Sequence, residues 1–213
     1  MNRRDFTFQM GAAGALAAVP MGTAWAQLAP VEGKDYTRLQ NPVPVAGTKI
    51  EVIEFFGYWC PHCAAFEPSL DAWVRKLPAD VNFRRIPVLF SPPQETLQRL
   101  YFALEAMGAV PAMHGKVFVA IHGNRQRLDK EADIISLANA NGVDGAKLIE
   151  TMKSFSISSK LSQAKTLTQA YHIDGVPTVA VSGRFTTSPG QAGTNERALV
   201  VMDALIQRAR QGK

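Results

Sequence analysis

The sequence predicts an α/β fold, a sheet with helices above and below it, interrupted by an inserted all-helical subdomain. Three observations predict it. Ile50–Phe56 is an apolar, β-branched run that reads as a strand buried on both faces. Two short runs, Thr178–Val181 and Arg184–Thr186, are parted by Ser182-Gly183 and read as a hairpin. Between residue 93 and about residue 170 there is almost no strand signal.

Taken in order, residues 1–26 read as an export signal. Arg3 and Arg4 are basic, Phe8 to Val19 is apolar and rich in Ala and Gly, and Ala24-Trp25-Ala26 offers a small-x-small cleavage site before Gln27. Asn2–Phe6 also resembles a twin-arginine signal, so both the general secretory and the twin-arginine routes are open. Either route leads to an oxidising compartment, the periplasm. Residues 27–48, with Pro30, Pro42 and Pro44, read as an irregular arm holding one edge strand. After the strand at 50–56 the chain breaks at Gly57, and Pro61 then marks the first position of a helix, where its missing N–H costs nothing. The apolar positions Phe66, Leu70, Trp73, Val74 and Leu77 continue that helix, and Pro68 should kink it. Val81–Phe90 reads as a second sheet strand, ending in the Ser91-Pro92-Pro93 turn.

The insertion, 93–167, shows five helical patterns. One is marked by Leu97, Leu100, Tyr101, Leu104 and Met107, and another by Val117, Phe118 and Ile121. A third starts at Asp129 as N-cap and stops at Asn141-Gly142; a fourth holds Leu148, Ile149 and Met152; a fifth runs from Ile157 to Tyr171. A last helix over 195–210 turns Leu199, Met202, Leu205 and Ile206 inward. The sheet-bearing domain therefore comprises 27–92 and 168–213.

Composition narrows the function. The 213 residues are 46% hydrophobic, enough for one core, and carry a formal charge of +5 that is dispersed along the chain. No basic cluster points to nucleic acid, and the tail Gln207–Lys213 reads as a solvated helix end. The apolar stretch near the start is too short and Gly-rich for a permanent membrane anchor. A monomer is expected.

The two cysteines of the chain stand at Cys60 and Cys63, spaced Cys-Pro-His-Cys across the first helical turn. That spacing puts them on one face and within disulfide reach. The unpartnered N–H groups and positive dipole end of a helix start favour an anion, so the exposed thiol, Cys60, should be acidic. His62 adds a ring N–H close to the same sulfur. Cys63, deeper in the turn, would be the resolving thiol. A thiolate exists only in the reduced state, so stabilising it makes the disulfide a stronger oxidant. Half a zinc site is the competing reading, but His114, His122 and His172 show no ligand spacing with the pair. A purely structural bridge so local would constrain little of the unfolded chain. No cofactor beyond the redox-active disulfide is expected. Glu54, on a strand buried on both faces, is open to two roles: a proton relay below Cys63, or a structural ion pair with Arg85 across the sheet. Glu67 reads as a helix-face charge, and Phe56, Tyr58 and Trp59 as either an apolar rim or core.

Cys60-Pro61-His62-Cys63 matches the active site of the DsbA family of the thioredoxin superfamily. The likeness extends through Gly33-Lys34-Asp35-Tyr36, Leu39, Pro42, Glu54-Phe55-Phe56, Phe66-Glu67 and Gly175-Val176-Pro177. The resemblance implies a thioredoxin-like fold with a helical insertion and thiol:disulfide oxidoreductase activity. It also implies an acidic first cysteine and a strongly oxidising couple, for which that family is the standard example. By the same resemblance Pro177 is cis and faces the sulfurs, and Val176 offers its backbone to an extended substrate peptide. Reduced, partly unfolded exported proteins are the implied partners, with a DsbB-type membrane oxidase to reoxidise the pair. The alternatives are a disulfide reductase or isomerase, and a non-catalytic binding module such as a metallochaperone.

Overall fold

The computed structural model describes residues 29–212, so the export signal read at 1–26 lies outside the described residues. Five strands form one sheet in the order β1-β5-β4-β2-β3. Its centre is β2 (Ile50–Phe56), paired in parallel with β3 (Val81–Pro87) and antiparallel with β4 (Thr178–Val181). β5 (Phe185–Thr187) pairs antiparallel with β4, and β1 (Thr37–Arg38) closes the far edge on β5. The β4–β5 connection is a three-residue turn, Ser182–Arg184, with Ser182 at φ 54° and Gly183 at φ 65° and the Arg184 N–H bonding back to Val181 O at 3.1 Å. A Cβ on Gly183 would lie 1.9 Å from Val43 O, so glycine also lets the arm cross close over this turn.

Side chains alternate across β2, and the two faces meet different helices. Val52 packs with Phe66 and Leu70 of α1 (Pro61–Val74) and with Val201, Met202 and Leu205 of α8 (Asn195–Arg210). Ile53 and Phe55 join the larger cluster that runs into the helices between β3 and β4. Those helices are α2 (Glu95–Ala106), α3 (Val110–Phe118), α4 (Glu131–Asn139), α5 (Gly145–Lys153) and α6 (Phe155–Ala170). A π-helical turn, Val119–Gly123, extends α3. Asp144, Ser154 and Thr194 cap α5, α6 and α8 by accepting from the N–H three residues on. A four-residue helix, α7 (Pro189–Ala192), precedes α8.

Several boundaries differ from the sequence reading, each for a local reason. β3 stops at Pro87 rather than Phe90: proline brings no N–H to the ladder, and only Val88 still bonds back, to Phe56 O at 2.7 Å. α1 runs through Pro68 and ends at Val74, short of Leu77. The α4 N-cap is Lys130, not Asp129, whose carboxylate instead pairs with Arg127 at 2.8 Å. Arg184 lies in the hairpin turn rather than in β5. The tail is not simply solvated, since Arg210 makes a two-pronged bond to Asp80 (2.7 and 2.9 Å) and Arg208 bonds the Tyr36 hydroxyl.

One charged cluster is built into this core. The β2–β3 register sets Glu54 beside Arg85, and Arg85 Nε donates to Glu54 Oε2 at 2.9 Å. The same guanidinium reaches up to α1, its Nη2 donating to Glu67 Oε1 at 2.9 Å and Oε2 at 3.1 Å. Glu67 is thus no surface charge: it is 7% exposed, because α1 lays that face on β3. Two carboxylates share a single guanidinium away from water, and removing a buried ion's partner is costly. Arg85→Met should therefore destabilise the protein by about 3–5 kcal/mol at pH 9, where Glu54 is ionised. The loss should shrink as pH falls through about 8, where Glu54 takes up a proton; urea unfolding at pH 9 and pH 6 reads it.

Candidate active site

The break at Gly57 sends the chain from the end of β2 over the top of the sheet and into α1. Cys60 N–H returns to Gly57 O at 3.0 Å, closing a tight turn. A Cβ on Gly57 would lie 2.5 Å from the Trp59 ring nitrogen, so the turn needs glycine. Trp59 in turn donates its indole N–H to Val88 O at 3.5 Å. Cys60 is the N-cap of α1, with extended backbone (φ −91°, ψ 118°), and Pro61 is the first helical residue. That geometry points the free N–H groups of His62 and Cys63 toward the Cys60 sulfur, although neither makes a full capping hydrogen bond.

The two thiols are unlike. Cys60 is drawn down to about 6 from the ordinary thiol value. The largest cause is the Cys63 thiol, which donates to the Cys60 sulfur; the backbone N–H groups of Cys63 and His62 add to it, and the His62 ring contributes least. Partial burial works against all of these. Cys63 is pushed far above the ordinary range by that same bond to Cys60, then by burial and by the Glu54 charge. The helix start and His62 were legible in the sequence, but the main donor, the second cysteine, was not singled out.

Exposure is where the sequence reading needs correction. Cys60 was expected to be an exposed thiol, and it is 4% exposed, against 0% for Cys63. The cover comes from the loop before β4. The Val176–Pro177 peptide bond is cis, and the Cys60 thiol donates to Val176 O at 3.4 Å. The structure thus brings Cys60, Cys63, Pro61, His62, Val176 and Pro177 together from two distant stretches of chain. His62 itself is exposed.

Below the sulfurs lies the carboxylate pair already described. Glu54 sits on the same face of β2 as Val52, the face α1 covers. Burial pushes its carboxyl up to about 8; Arg85 opposes the shift and the Glu67 charge adds to it. The ion pair with Arg85 is present, so Glu54 holds the structural place foreseen for it and also raises the Cys63 thiol. Phe56 and Tyr58 are core, at 0% and 1% exposure, packing edge-on at 5.2 Å. Trp59 is half-buried and stacks edge-on at 5.8 Å against Phe90, which is 44% exposed beside Leu89 at 37%.

Two histidines missed as site neighbours come from the α3 segment. His114 Nδ1 lies 2.8 Å from the Tyr58 hydroxyl, and its Nε2 faces Glu67 at 3.3 Å without a well-aligned hydrogen bond. Burial holds His114 below the usual imidazole value. His122 Nε2 donates to Tyr58 O at 2.8 Å. In the sequence both residues stand outside any motif, and no local signal connects them to the turn. Among the described residues no group of three or more His, Cys, Asp or Glu side chains is placed to hold a metal ion, and no helix is long and apolar enough to cross a membrane.

Comparison with known proteins agrees with this geometry. The model of the DSBA-like thioredoxin domain matches residues 51–196. A thiol:disulfide interchange protein DsbA from Pseudomonas syringae pv. tomato is 43% identical over 183 residues, 85% of this chain and 86% of that protein. The protein of the same name from Bordetella parapertussis is 41% identical over 213 residues, 99% of this chain and 100% of its own. The crystal structure of Pseudomonas aeruginosa DsbA superposes with a TM-score of 0.82 at 40% identity, covering 86% of this chain and 96% of that one. With the family model matching more than half of the chain and relatives alike in sequence and structure over most of it, the chain belongs to the DsbA family of thioredoxin-fold thiol:disulfide oxidoreductases.

Proposed function

We propose that the protein is a periplasmic disulfide oxidant, donating the Cys60–Cys63 disulfide to reduced exported proteins. One observation carries the reading: within a single turn, one thiol is drawn down to about 6 while its partner is pushed well up. A thiolate on the substrate attacks the Cys60 sulfur; the S–S bond breaks, and its electron pair leaves on Cys63. Cys63 is a poor anion in this setting and needs a proton. The Glu54 carboxyl, raised to about 8 by burial, holds one at neutral pH and is the group we assign to supply it, as general acid. A second substrate thiolate then attacks the substrate's own sulfur and displaces Cys60, a good leaving group because it is stable as an anion. The substrate ends with a disulfide and the enzyme with a dithiol, two electrons having passed to the enzyme.

Val176 and Pro177 are assigned to substrate binding, with an extended chain laid along the loop that covers Cys60 and bonding to its backbone. The neighbouring apolar surface of Trp59, Leu89 and Phe90 suits partly unfolded chains, whose apolar side chains are unburied. Returning the dithiol to the disulfide needs an external acceptor. A DsbB-type membrane oxidase fills that place by family, and the basic, apolar and small-residue pattern of residues 1–26 supports the periplasm.

The sign of the linkage makes the reading testable. A depressed Cys60 value favours the reduced form above the pKa, and the bias is lost as pH falls through about 6. Reduction takes up two protons below that pH and one above it. The midpoint potential of the couple, on the hydrogen-electrode scale, should therefore fall by about 59 mV per pH unit below the break and by about 30 mV above it. A break near pH 8–9, as for free cysteine, would sink the oxidant reading, and so would undiminished oxidative refolding of a reduced test protein by Cys60→Ser. Glu54→Gln should slow attack on the disulfide by about tenfold or more while leaving the Cys60 titration in place. Stopped-flow reduction of the oxidised protein by a small thiol reads the first, and thiolate absorbance of the reduced protein the second.

A further inference from the structure

The inserted helices grip the turn before Cys60 at one residue, Tyr58, and they do so twice. Its side chain is buried, and the hydroxyl meets His114 Nδ1 at 2.8 Å. Its main-chain carbonyl meets His122 Nε2, also at 2.8 Å. A carbonyl oxygen only accepts, so His122 Nε2 carries the hydrogen. On an unbroken α-helix, residues this far apart would diverge around the axis. The π-helical turn Val119–Gly123, where Asn124 N–H reaches five residues back to Val119 O at 2.9 Å, takes up the extra residue. It swings His122 back toward the side that His114 already faces. Wide turns of this kind are rare and collect at functional sites.

The remaining restraints on this turn come from elsewhere: Cys60 N–H to Gly57 O within it, and the Trp59 indole to Val88 O at the end of β3. The carbonyl of Tyr58 lies two residues before Cys60. Everything that makes the Cys60 sulfur unusual requires it to sit over the first turn of α1, facing the Cys63 thiol and the backbone N–H groups of His62 and Cys63. A turn free to shift would spread the sulfur over other positions.

We propose that His122 is a positioning residue for Cys60: through Tyr58, which it holds together with His114, it fixes the Gly57–Trp59 turn and so the place of the sulfur at the head of α1. The π-helical turn is the device that delivers the histidine, and it makes the helical insertion part of the redox site rather than a lid beside it. The inference rests on Cys60 being the reacting thiol.

The test uses the reduced protein with His122→Leu, which removes the donor, and His122→Gln, whose side-chain amide restores an N–H at similar reach. The pH dependence of alkylation by iodoacetamide reads the Cys60 thiolate with no protein substrate present, and thermal unfolding reads stability. His122→Leu should shift the alkylation midpoint upward and lower the rate of disulfide transfer to a reduced peptide by about fivefold, as for one lost hydrogen bond. His122→Gln should restore both to within about twofold. A His122→Leu protein with a lowered melting temperature but an unmoved midpoint would overturn the proposal, leaving His122 a merely structural contact. A His122→Gln protein that behaves like His122→Leu would overturn it too. If His122→Leu does not fold, His122→Asn, too short to reach the carbonyl, takes its place under the same criteria. A wild-type midpoint near that of free cysteine would instead count against the acidic Cys60 of the proposed function, which separates the two failures.

Discussion

Two neighbouring thiols in unlike surroundings, one at the head of α1 and one in the core, give the site its polarity. Either sulfur could carry the negative charge if both sat in like surroundings. Here Cys60 has backbone N–H groups turned toward it, whereas Cys63 lies in the core with a carboxylate nearby. The charge therefore rests on the outer sulfur and the proton on the inner one. Nearly every other feature of the molecule serves to keep that asymmetry: the extended N-cap, the proline at the first helical position, the glycine before the tryptophan, and the loop that crosses over the thiol.

The cluster under the sulfurs follows a similar logic of unequal sharing. Glu54 and Glu67 divide one guanidinium, and the strand residue is the more deeply buried of the two. A buried ion pair with an excess carboxylate is poor stabilising material compared with a packed apolar core. In the mechanism proposed above, its presence at the junction of β2, β3 and α1 serves chemistry rather than stability, placing a protonable group next to the Cys63 thiol.

What the sequence revealed was whatever is local in the chain. The run Ile50–Phe56, the Cys-Pro-His-Cys turn and the Ser182-Gly183 hairpin are written in consecutive residues, and periodicity or backbone geometry exposes them. The pairing of Glu54 with Arg85 was also readable, because adjacent parallel strands in register bring equivalent positions together. Glu67 misled, since a glutamate on an amphipathic helix is ordinarily solvated, and only the docking of α1 on β3 shows that it is enclosed. The cover over Cys60 was hidden for the same reason: the carbonyl that meets the sulfur lies more than a hundred residues downstream. His114 and His122 carry no motif, and their relation to Tyr58 depends on a helical irregularity that no residue pattern announces.

The closing order of the sheet has a consequence for when the chemistry begins. β2 is flanked on one side by β4, and the arm at β1 is latched by β5 and the turn before it, by Gln191 of α7, and by Arg197 and Arg208 of α8. All of those partners follow β2 and β3 by about a hundred residues, so they are made well after the cysteines. Until they arrive, the sheet lacks three of its strand pairings, and the carbonyl that covers Cys60 is absent. Pairings so distant in sequence form late, after the loops between them have closed. A chain still lacking those residues therefore presents Cys60 without the carbonyl that covers it, and the site is complete only once β4 and β5 are in place.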